Sequence, residues 1–200
     1  IIVVNTCCFI GDAKEESIQT ILEMAEYKEK GNAKGLIVTG CLAQRYRDEI
    51  KKEIPEVDAI LGANSYDSIV DAVHKAAAGE AYENFKELTG LPNLRQTRML
   101  TTGGHYAYLK IAEGCNKHCT YCVIPSVRGS YRSVPIEELL DQAEELASLG
   151  VKELILVAQE TTLYGLDLYG TKSLGRLLDA LGEISGIRWI RILYCYPEEI

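Results

Sequence analysis

The sequence predicts an α/β protein: an amino-terminal open parallel αβα domain followed by the first part of a partial (β/α) barrel. Three observations predict it. Short β-branched runs alternate with amphipathic stretches over residues 1–78. Residues 79–104 interrupt that rhythm with Gly79, Gly90, Pro92 and Gly103-Gly104. From Tyr106 the pattern resumes as strand, loop, helix, strand, loop, helix, strand. Strands alternating with helices imply a parallel sheet, because parallel neighbours need a crossover that lays a helix over the sheet. The division that follows is an amino-terminal domain over residues 1–90, a linker over 91–104 and a second domain over 105–200.

The elements follow in order. Ile1-Ile2-Val3-Val4 reads as a strand already under way, ending in Asn5-Thr6-Cys7. Residues 12–30 place Ile18, Ile21, Leu22 and Ala25 at helical spacing, with Glu and Lys on the other face and Gly31-Asn32 as the stop. Residues 36–39 form a second β-branched run that ends in Gly40-Cys41. Residues 43–53 are polar and helical, 57–61 are a third strand closed by Gly62, and 67–78 form a helix burying Ile69, Val70, Val73, Ala76 and Ala77. In the second half, residues 106–112 are a strand and 113–134 a polar, cysteine-bearing loop. A helix then runs from Pro135 to Leu149, with Ser133 as cap, Pro135 in the first turn and Gly150 as stop. Its apolar face is Ile136, Leu139, Leu140, Ala143, Leu146 and Ala147. Residues 151–158 are a strand, 159–172 a long loop, 174–184 a helix and 187–193 a strand. In β/α barrels the chemistry sits at the carboxyl ends of the strands, where the loops 113–134 and 159–172 both fall.

Composition narrows the class. The chain has 200 residues, 47% hydrophobic and 25% charged, which excludes a disordered tail, a collagen-like fibre and a disulfide-stapled miniprotein. No apolar run approaches the roughly 20 residues that span a bilayer, which excludes a transmembrane helix. With 29 acidic against 21 basic side chains the net charge is -8, so the chain is no general binder of phosphate backbones. Seven cysteines, odd in number and unevenly clustered behind no secretory leader, point to metal or redox chemistry in a reducing, cytoplasmic setting. A start in mid-strand without Met, and an end at Tyr196-Pro197-Glu198-Glu199-Ile200, lead us to expect an internal piece of a longer enzyme.

Cys115, Cys119 and Cys122 form C-x3-C-x2-C within one loop. Such a loop can wrap three thiolates around one face of an iron–sulfur cube. Cubanes normally take four thiolates, so three leave one iron open to substrate or cofactor. A Cys3His zinc site using His118 is the alternative, although zinc sites usually come as C-x2-C pairs. Three unrelated buried thiols are a further alternative, which the scarcity of apolar neighbours disfavours.

Gly114-Cys115-Asn116-Lys117-His118-Cys119-Thr120-Tyr121-Cys122 resembles the cluster loop of radical S-adenosylmethionine enzymes. The resemblance implies that Cys115, Cys119 and Cys122 hold a [4Fe-4S] cluster whose open iron is chelated by S-adenosylmethionine. Reduction then cleaves the sulfonium to a 5′-deoxyadenosyl radical, while the protein binds, orients and excludes water. It also implies that Tyr121 packs on the adenine, against the alternative of plain loop packing. No acidic residue lies between Cys115 and Arg132, and Lys117, Arg128 and Arg132 make the stretch cationic. Thiolates and a cofactor carboxylate both gain from such charge, although a solvated basic loop has the same composition.

The amino-terminal half is similar to the methylthiotransferase amino-terminal domain through Val4-Asn5-Thr6-Cys7-Cys8-Phe9-Ile10, Ala13-Lys14-Glu15-Glu16-Ser17 and Gly40-Cys41-Leu42-Ala43-Gln44-Arg45-Tyr46. That resemblance implies a second [4Fe-4S] cluster on Cys7 and Cys41, with its third ligand in a Gly-Cys motif upstream of this chain. Both cysteines end parallel strands, where ligand crevices form in open sheets. Cys8 stands where the family has a small residue. Adjacent residues on an extended segment point opposite ways, so one of Cys7 and Cys8 is expected to bind, and Cys7 holds the motif position. Two structural thiols are the alternative. Cys195 has no ligand partner in the pattern and is read as structural.

The family attaches a methylthio group to a C–H carbon. One S-adenosylmethionine gives the methyl, another the radical, and the second cluster delivers sulfur. The loop Val157-Ala158-Gln159-Glu160-Thr161-Thr162-Leu163-Tyr164-Gly165-Leu166-Asp167-Leu168-Tyr169-Gly170 resembles the branch that modifies the β-carbon of an aspartate in small-subunit ribosomal protein twelve, with Glu160 where that branch commonly has Asp. The tRNA-adenosine branch carries an Asn-rich motif there. Gln159 is expected to hydrogen-bond S-adenosylmethionine or substrate. Glu160 either projects near the cofactor or caps the following turn. Tyr164 and Tyr169 either line substrate entry or pack the loop. The implied partners are the ribosomal protein, an electron donor and a sulfur donor, with no membrane. The other two readings are a tRNA adenosine methylthiotransferase and a non-catalytic iron–sulfur or zinc module.

Overall fold

A computed structural model of the chain describes residues 1–91 and 98–199. Residues 92–97 of the expected linker, with Pro92, lie outside the described residues. The rest forms two compact units: residues 1–91 with His118–Arg128, and residues 98–117 with 129–199.

The first unit contains β1 (Ile2–Thr6), α1 (Gly11–Glu29), β2 (Leu36–Gly40), α2 (Cys41–Arg45), α3 (Arg47–Glu53), β3 (Ala59–Leu61), α4 (Ile69–Ala77), β4 (Tyr82–Asn84) and α5 (Ile124–Arg128). Its four strands are parallel in the order β1-β2-β3-β4. Alternation along β2 sorts the core into two faces. Leu36 and Val38 pack with Ile21 of α1 and Ile50 of α3, whereas Ile37 packs with Ala72 and Ala76 of α4. Helices thus cover both faces, the αβα layering that the alternating pattern implies.

Three expectations change here. The polar helix of residues 43–53 is two helices, broken at Tyr46, whose φ of −120° and ψ of 36° leave the helical region. Residues 79–104 contain β4, which extends the sheet by pairing Ala59 with Tyr82 and Leu61 with Asn84. Of the expected apolar faces, Ile18, Leu22 and Val70 are exposed, while Ile21, Ala25 and Ala76 form the core. Helical periodicity marks which residues share a side, and the width of the neighbouring element decides how many are covered.

The second unit contains β5 (Tyr106–Lys110), β6 (Ala112–Glu113), β7 (Arg132–Ser133), α6 (Ile136–Ser148), β8 (Glu153–Val157), α7 (Leu166–Tyr169), α8 (Leu174–Gly182) and β9 (Trp189–Ile192). Strands β5, β8 and β9 form a parallel sheet in that order, and β6 pairs antiparallel with β7. Ala107, Leu109, Leu154 and Leu156 point to one side of the sheet and are buried, as are Leu139, Ala143 and Leu146 of α6 and Leu177 and Leu181 of α8.

The start of α6 differs from expectation. Ser133 does not cap it. Ser133 lies in β7, where its N–H and hydroxyl both donate to the Asp167 carboxylate at 2.8 and 2.6 Å. The orphan N–H of Ile136 instead donates to the Tyr169 phenol oxygen at 3.0 Å, and Pro135 precedes the helix. Tyr164 is fully buried and donates its hydroxyl to the Val134 carbonyl at 2.6 Å. Burial pushes its phenol far above the usual range, so it stays a donor. Both tyrosines therefore pack the 159–172 loop onto the strand before α6. Tyr164→Phe removes the donor from a buried carbonyl and is expected to cost ~1–2 kcal/mol in urea unfolding. Tyr27→Phe, at an exposed ring, is expected to leave the midpoint unchanged.

Candidate functional site

The cysteine loop begins where β6 ends. Gly114 has a φ of +81°, a conformation glycine adopts without penalty. Its N–H donates to Gln159 Oε1 at 2.8 Å, and Gln159 Nε2 donates to Glu113 Oε1 at 3.0 Å. Glu113 is buried and paired with Lys110. Gln159, at the end of β8, thus clamps the residue ahead of Cys115. The Cys115 N–H donates to the Gly129 carbonyl at 3.2 Å, and its Sγ accepts the Lys117 N–H at 3.4 Å. Tyr131 N–H donates to Asn116 Oδ1 at 2.9 Å.

The Lys117 side chain reaches the same downstream loop. Its Nζ lies 2.6 Å from Glu160 Oε2, outside hydrogen-bond alignment, and 3.6 Å from the Tyr196 ring centre. Glu160 is 1% exposed, and an unpaired carboxylate at that depth is costly, so the lysine is its counter-charge. Its other oxygen accepts the Thr162 N–H at 3.0 Å and the Thr162 hydroxyl. Of the two readings of Glu160, the structure displays the turn cap.

Cys115 is buried in the second unit, whereas Cys119 is exposed and Cys122 half-buried in the first. Cys122 N–H donates to the Cys119 carbonyl at 3.0 Å, so these two share one tight turn. Tyr121 is 90% exposed and does not pack the loop. His118 is exposed too. Among the described residues no three His, Cys, Asp or Glu side chains are gathered to hold a metal ion. The donor set itself fits an iron–sulfur cube. It offers three thiols without an intervening carboxylate, and the Sγ of Cys115 already accepts an N–H, the interaction that cluster sulfurs accept.

The second cysteine set lies at the carboxyl ends of β1 and β2. Thr6 pairs with Gly40, so Cys7 and Cys41 each follow a paired strand end. Gly40 has a φ of +99°, and a Cβ there would collide with the Thr6 backbone and with Asn5 Oδ1. The Thr6 hydroxyl donates to the Thr39 carbonyl at 2.6 Å and accepts the Ala43 N–H at 3.4 Å, satisfying a donor of the first turn of α2. The Ser17 hydroxyl accepts the Cys7 N–H and donates to the Cys7 carbonyl, both at 3.0 Å. Cys8 is 3% exposed in the core. Burial pushes its thiol up, the nearby Cys41 adds to the rise, and the Arg45 guanidinium opposes it. Cys41 is 2% exposed, and Arg128 Nε donates to its Sγ at 3.1 Å. Cys195 is half-buried.

Four residues that hold these sites have no role assigned from the sequence: Thr6 and Ser17 lie inside the quoted motifs, Arg128 lies in the acid-free cationic stretch, and Glu113 has no signal of its own. Their roles come from contacts with other segments: Thr6 with Thr39 and Ala43, Ser17 with Cys7, Glu113 with Gln159 and Arg128 with Cys41.

Comparison with known proteins meets this geometry. Residues 1–62 match the family described as uncharacterized protein family UPF0004, and residues 109–197 match the radical SAM superfamily. The chain therefore joins a UPF0004 domain to the opening of a radical SAM domain, the superfamily of S-adenosylmethionine and iron–sulfur chemistry. Over 200 residues it is 65% identical to the ribosomal protein uS12 methylthiotransferase RimO of Lachnoclostridium phytofermentans and 53% identical to that of Clostridium tetani. It is 54% identical over 207 residues to the one of Acetivibrio thermocellus. Each match covers 100% of this chain and 45–46% of the relative, so the chain spans about half the length of the curated relatives it matches. Over its whole length the chain is thus similar to about half of methylthiotransferases that act on ribosomal protein uS12, and it carries matches to both the UPF0004 and radical SAM families. Among the described residues no helix is long and apolar enough to cross a membrane.

Proposed function

We propose that this chain carries the cluster-binding portion of an enzyme that transfers a methylthio group to the β-carbon of an aspartate in ribosomal protein uS12. The observation that carries the reading is the double tie between its two informative loops. Gln159 holds the backbone of Gly114, and Glu160 holds the side chain of Lys117. The loop that resembles the ribosomal-protein branch is thus bonded to residues on both sides of Cys115.

In this reading residues 1–90 and 105–200 are the two domains, and Cys115, Cys119 and Cys122 hold a [4Fe-4S] cluster. Cys7 and Cys41 give two ligands of a second cluster, whose third would come from upstream. When bound, the first cluster supplies the electron for reductive cleavage of S-adenosylmethionine. The chain's own residues position and shield. Gln159 fixes the start of the cysteine loop and keeps one amide N–H for a cofactor carboxylate or hydroxyl. Lys117, neutralised by Glu160, keeps the loop's middle against the post-β8 segment. Tyr121, fully available, offers a flat apolar face for the adenine. The remaining partners are an electron donor, a sulfur donor and the ribosomal protein as substrate.

The test is an assay of full-length, anaerobically reconstituted protein on ribosomes and on tRNA, read by mass spectrometry. A methylthio group on an aspartate of uS12 is the expected product. Modified tRNA adenosine in its place would move the enzyme to the other branch. Reduced protein that leaves S-adenosylmethionine intact would return it to a non-catalytic module.

A further inference from the structure

Arg128 lies six residues beyond Cys122, at the end of α5. Helix α5 is firmly seated in the first unit. Val127 is 1% exposed and packs, with half-buried Val123, in the core that holds Leu42, Ala43 and Cys41. From that anchor the Arg128 side chain reaches across 87 residues of sequence to place Nε 3.1 Å from the Cys41 Sγ. Cys41 is 2% exposed, so the contact lies in a low-dielectric setting where a charged donor on sulfur is felt strongly. The acid-free stretch after Cys115 therefore does more than present charge to solvent. One of its guanidiniums is committed to a cysteine of the other set.

We propose that Arg128 is a positioning and tuning residue for the amino-terminal cluster: it orients the Cys41 thiolate and sets the reduction potential of the iron that this thiolate binds. The proposal rests on the reading of Cys41 as a cluster ligand. A ligand thiolate keeps lone-pair density for an N–H donor after it binds iron. Hydrogen bonds to cluster sulfurs and nearby positive charge favour the reduced, more negative cluster, which raises its potential. Arginine suits the task better than lysine, because its donors are fixed in a plane and it keeps its charge when buried.

The experiment uses the full-length protein with Cys119→Ala, which leaves the amino-terminal cluster as the one to be observed, and reads iron content and an electron paramagnetic resonance redox titration. Arg128→Gln is expected to keep the cluster and shift its reduction equilibrium about tenfold toward the oxidised form, ~59 mV for one electron. Arg128→Lys, which keeps the charge and loses the planar donor, is expected to shift it less. A cluster lost in Arg128→Gln and retained in Arg128→Lys would also support the proposal. A cluster at the parental potential in Arg128→Gln, or one lost equally in both variants, would overturn it. Cys41→Ala in the same background tests the underlying reading separately. Retained iron there removes Cys41 from the ligand set, and the proposal with it. Lost iron there, with an unmoved potential in Arg128→Gln, refutes the role of Arg128 alone.

Discussion

Full-length protein carrying Cys119→Ala is expected to cleave S-adenosylmethionine at least ~100-fold more slowly than its parent and to lose the iron of one cluster. The magnitude follows from a comparison: removing a residue that merely supports a metal ligand typically costs about 10–100-fold, so removing a ligand itself must reach the upper end or beyond. Cys119 is the most informative of the three cysteines because its side chain is exposed. An exposed thiol cut back to alanine changes stability by only about ±0.5 kcal/mol. Loss of metal in this variant therefore reports ligation rather than unfolding. Cys115 is buried and its Sγ accepts the Lys117 N–H, so its substitution mixes the two effects. Cys195→Ala, half-buried and outside both sets, serves as the comparison and is expected to retain iron and cleavage. Metal analysis separates the alternatives for this loop: iron with acid-labile sulfide supports the cube, and one zinc per chain would support a Cys3His site. Cleavage that survives Cys119→Ala would remove this cysteine from the ligand set.

What the sequence made legible was local. The runs at residues 1–4, 36–39 and 106–112 are strands because β-branched and aromatic residues fit a pleated, covered surface, and their order alone implied parallel sheets. The C-x3-C-x2-C loop was legible because its three cysteines lie in one short span. What stayed hidden depends on partners far along the chain. The β4 strand holds Tyr82, Glu83 and Asn84, a weak strand sequence that pairs because β3 offers it an edge. The break at Tyr46 follows no Gly or Pro. It lies where α2, entered from the strand end at Gly40, gives way to α3, whose Ile50 reaches the core. Ser133 looked like a cap since it precedes Pro135, yet Asp167 of α7 takes its N–H and hydroxyl. Gln159 was legible as a residue facing the site, but its bond to Gly114 spans 45 positions. Arg128 was legible only as one charge among several; its target, Cys41, belongs to the other half of the sequence.

Gly114→Ala is expected to be the most damaging single substitution in the second unit, costing at least ~3 kcal/mol in unfolding and preventing cluster assembly on the cysteine loop. Two causes act together. The φ of +81° already disfavours an L side chain. An added Cβ would also meet the carbonyl oxygens of Gly129 and Ser130, which are backbone atoms and cannot swing aside as a flexible side chain would. The backbone approaches this closely because the Cys115 N–H donates to the Gly129 carbonyl, beside the pairing of Glu113 with Arg132. Relieving the collision means separating those segments. That breaks the Cys115–Gly129 bond, draws the Gly114 N–H away from Gln159, and releases Cys115 from its buried position. Gly175→Ala is the matched control. Gly175 lies within α8, and a Cβ there meets nothing within 4 Å. Alanine at that position is expected to stabilise by ~0.4–1 kcal/mol, because it restricts the unfolded chain and favours the helix. Urea unfolding and iron content of the two variants decide the matter. If Gly114→Ala kept the parental midpoint and bound a full complement of iron, the close backbone approach would not be what places Cys115, and the double tie from Gln159 and Glu160 would have to hold the loop unaided.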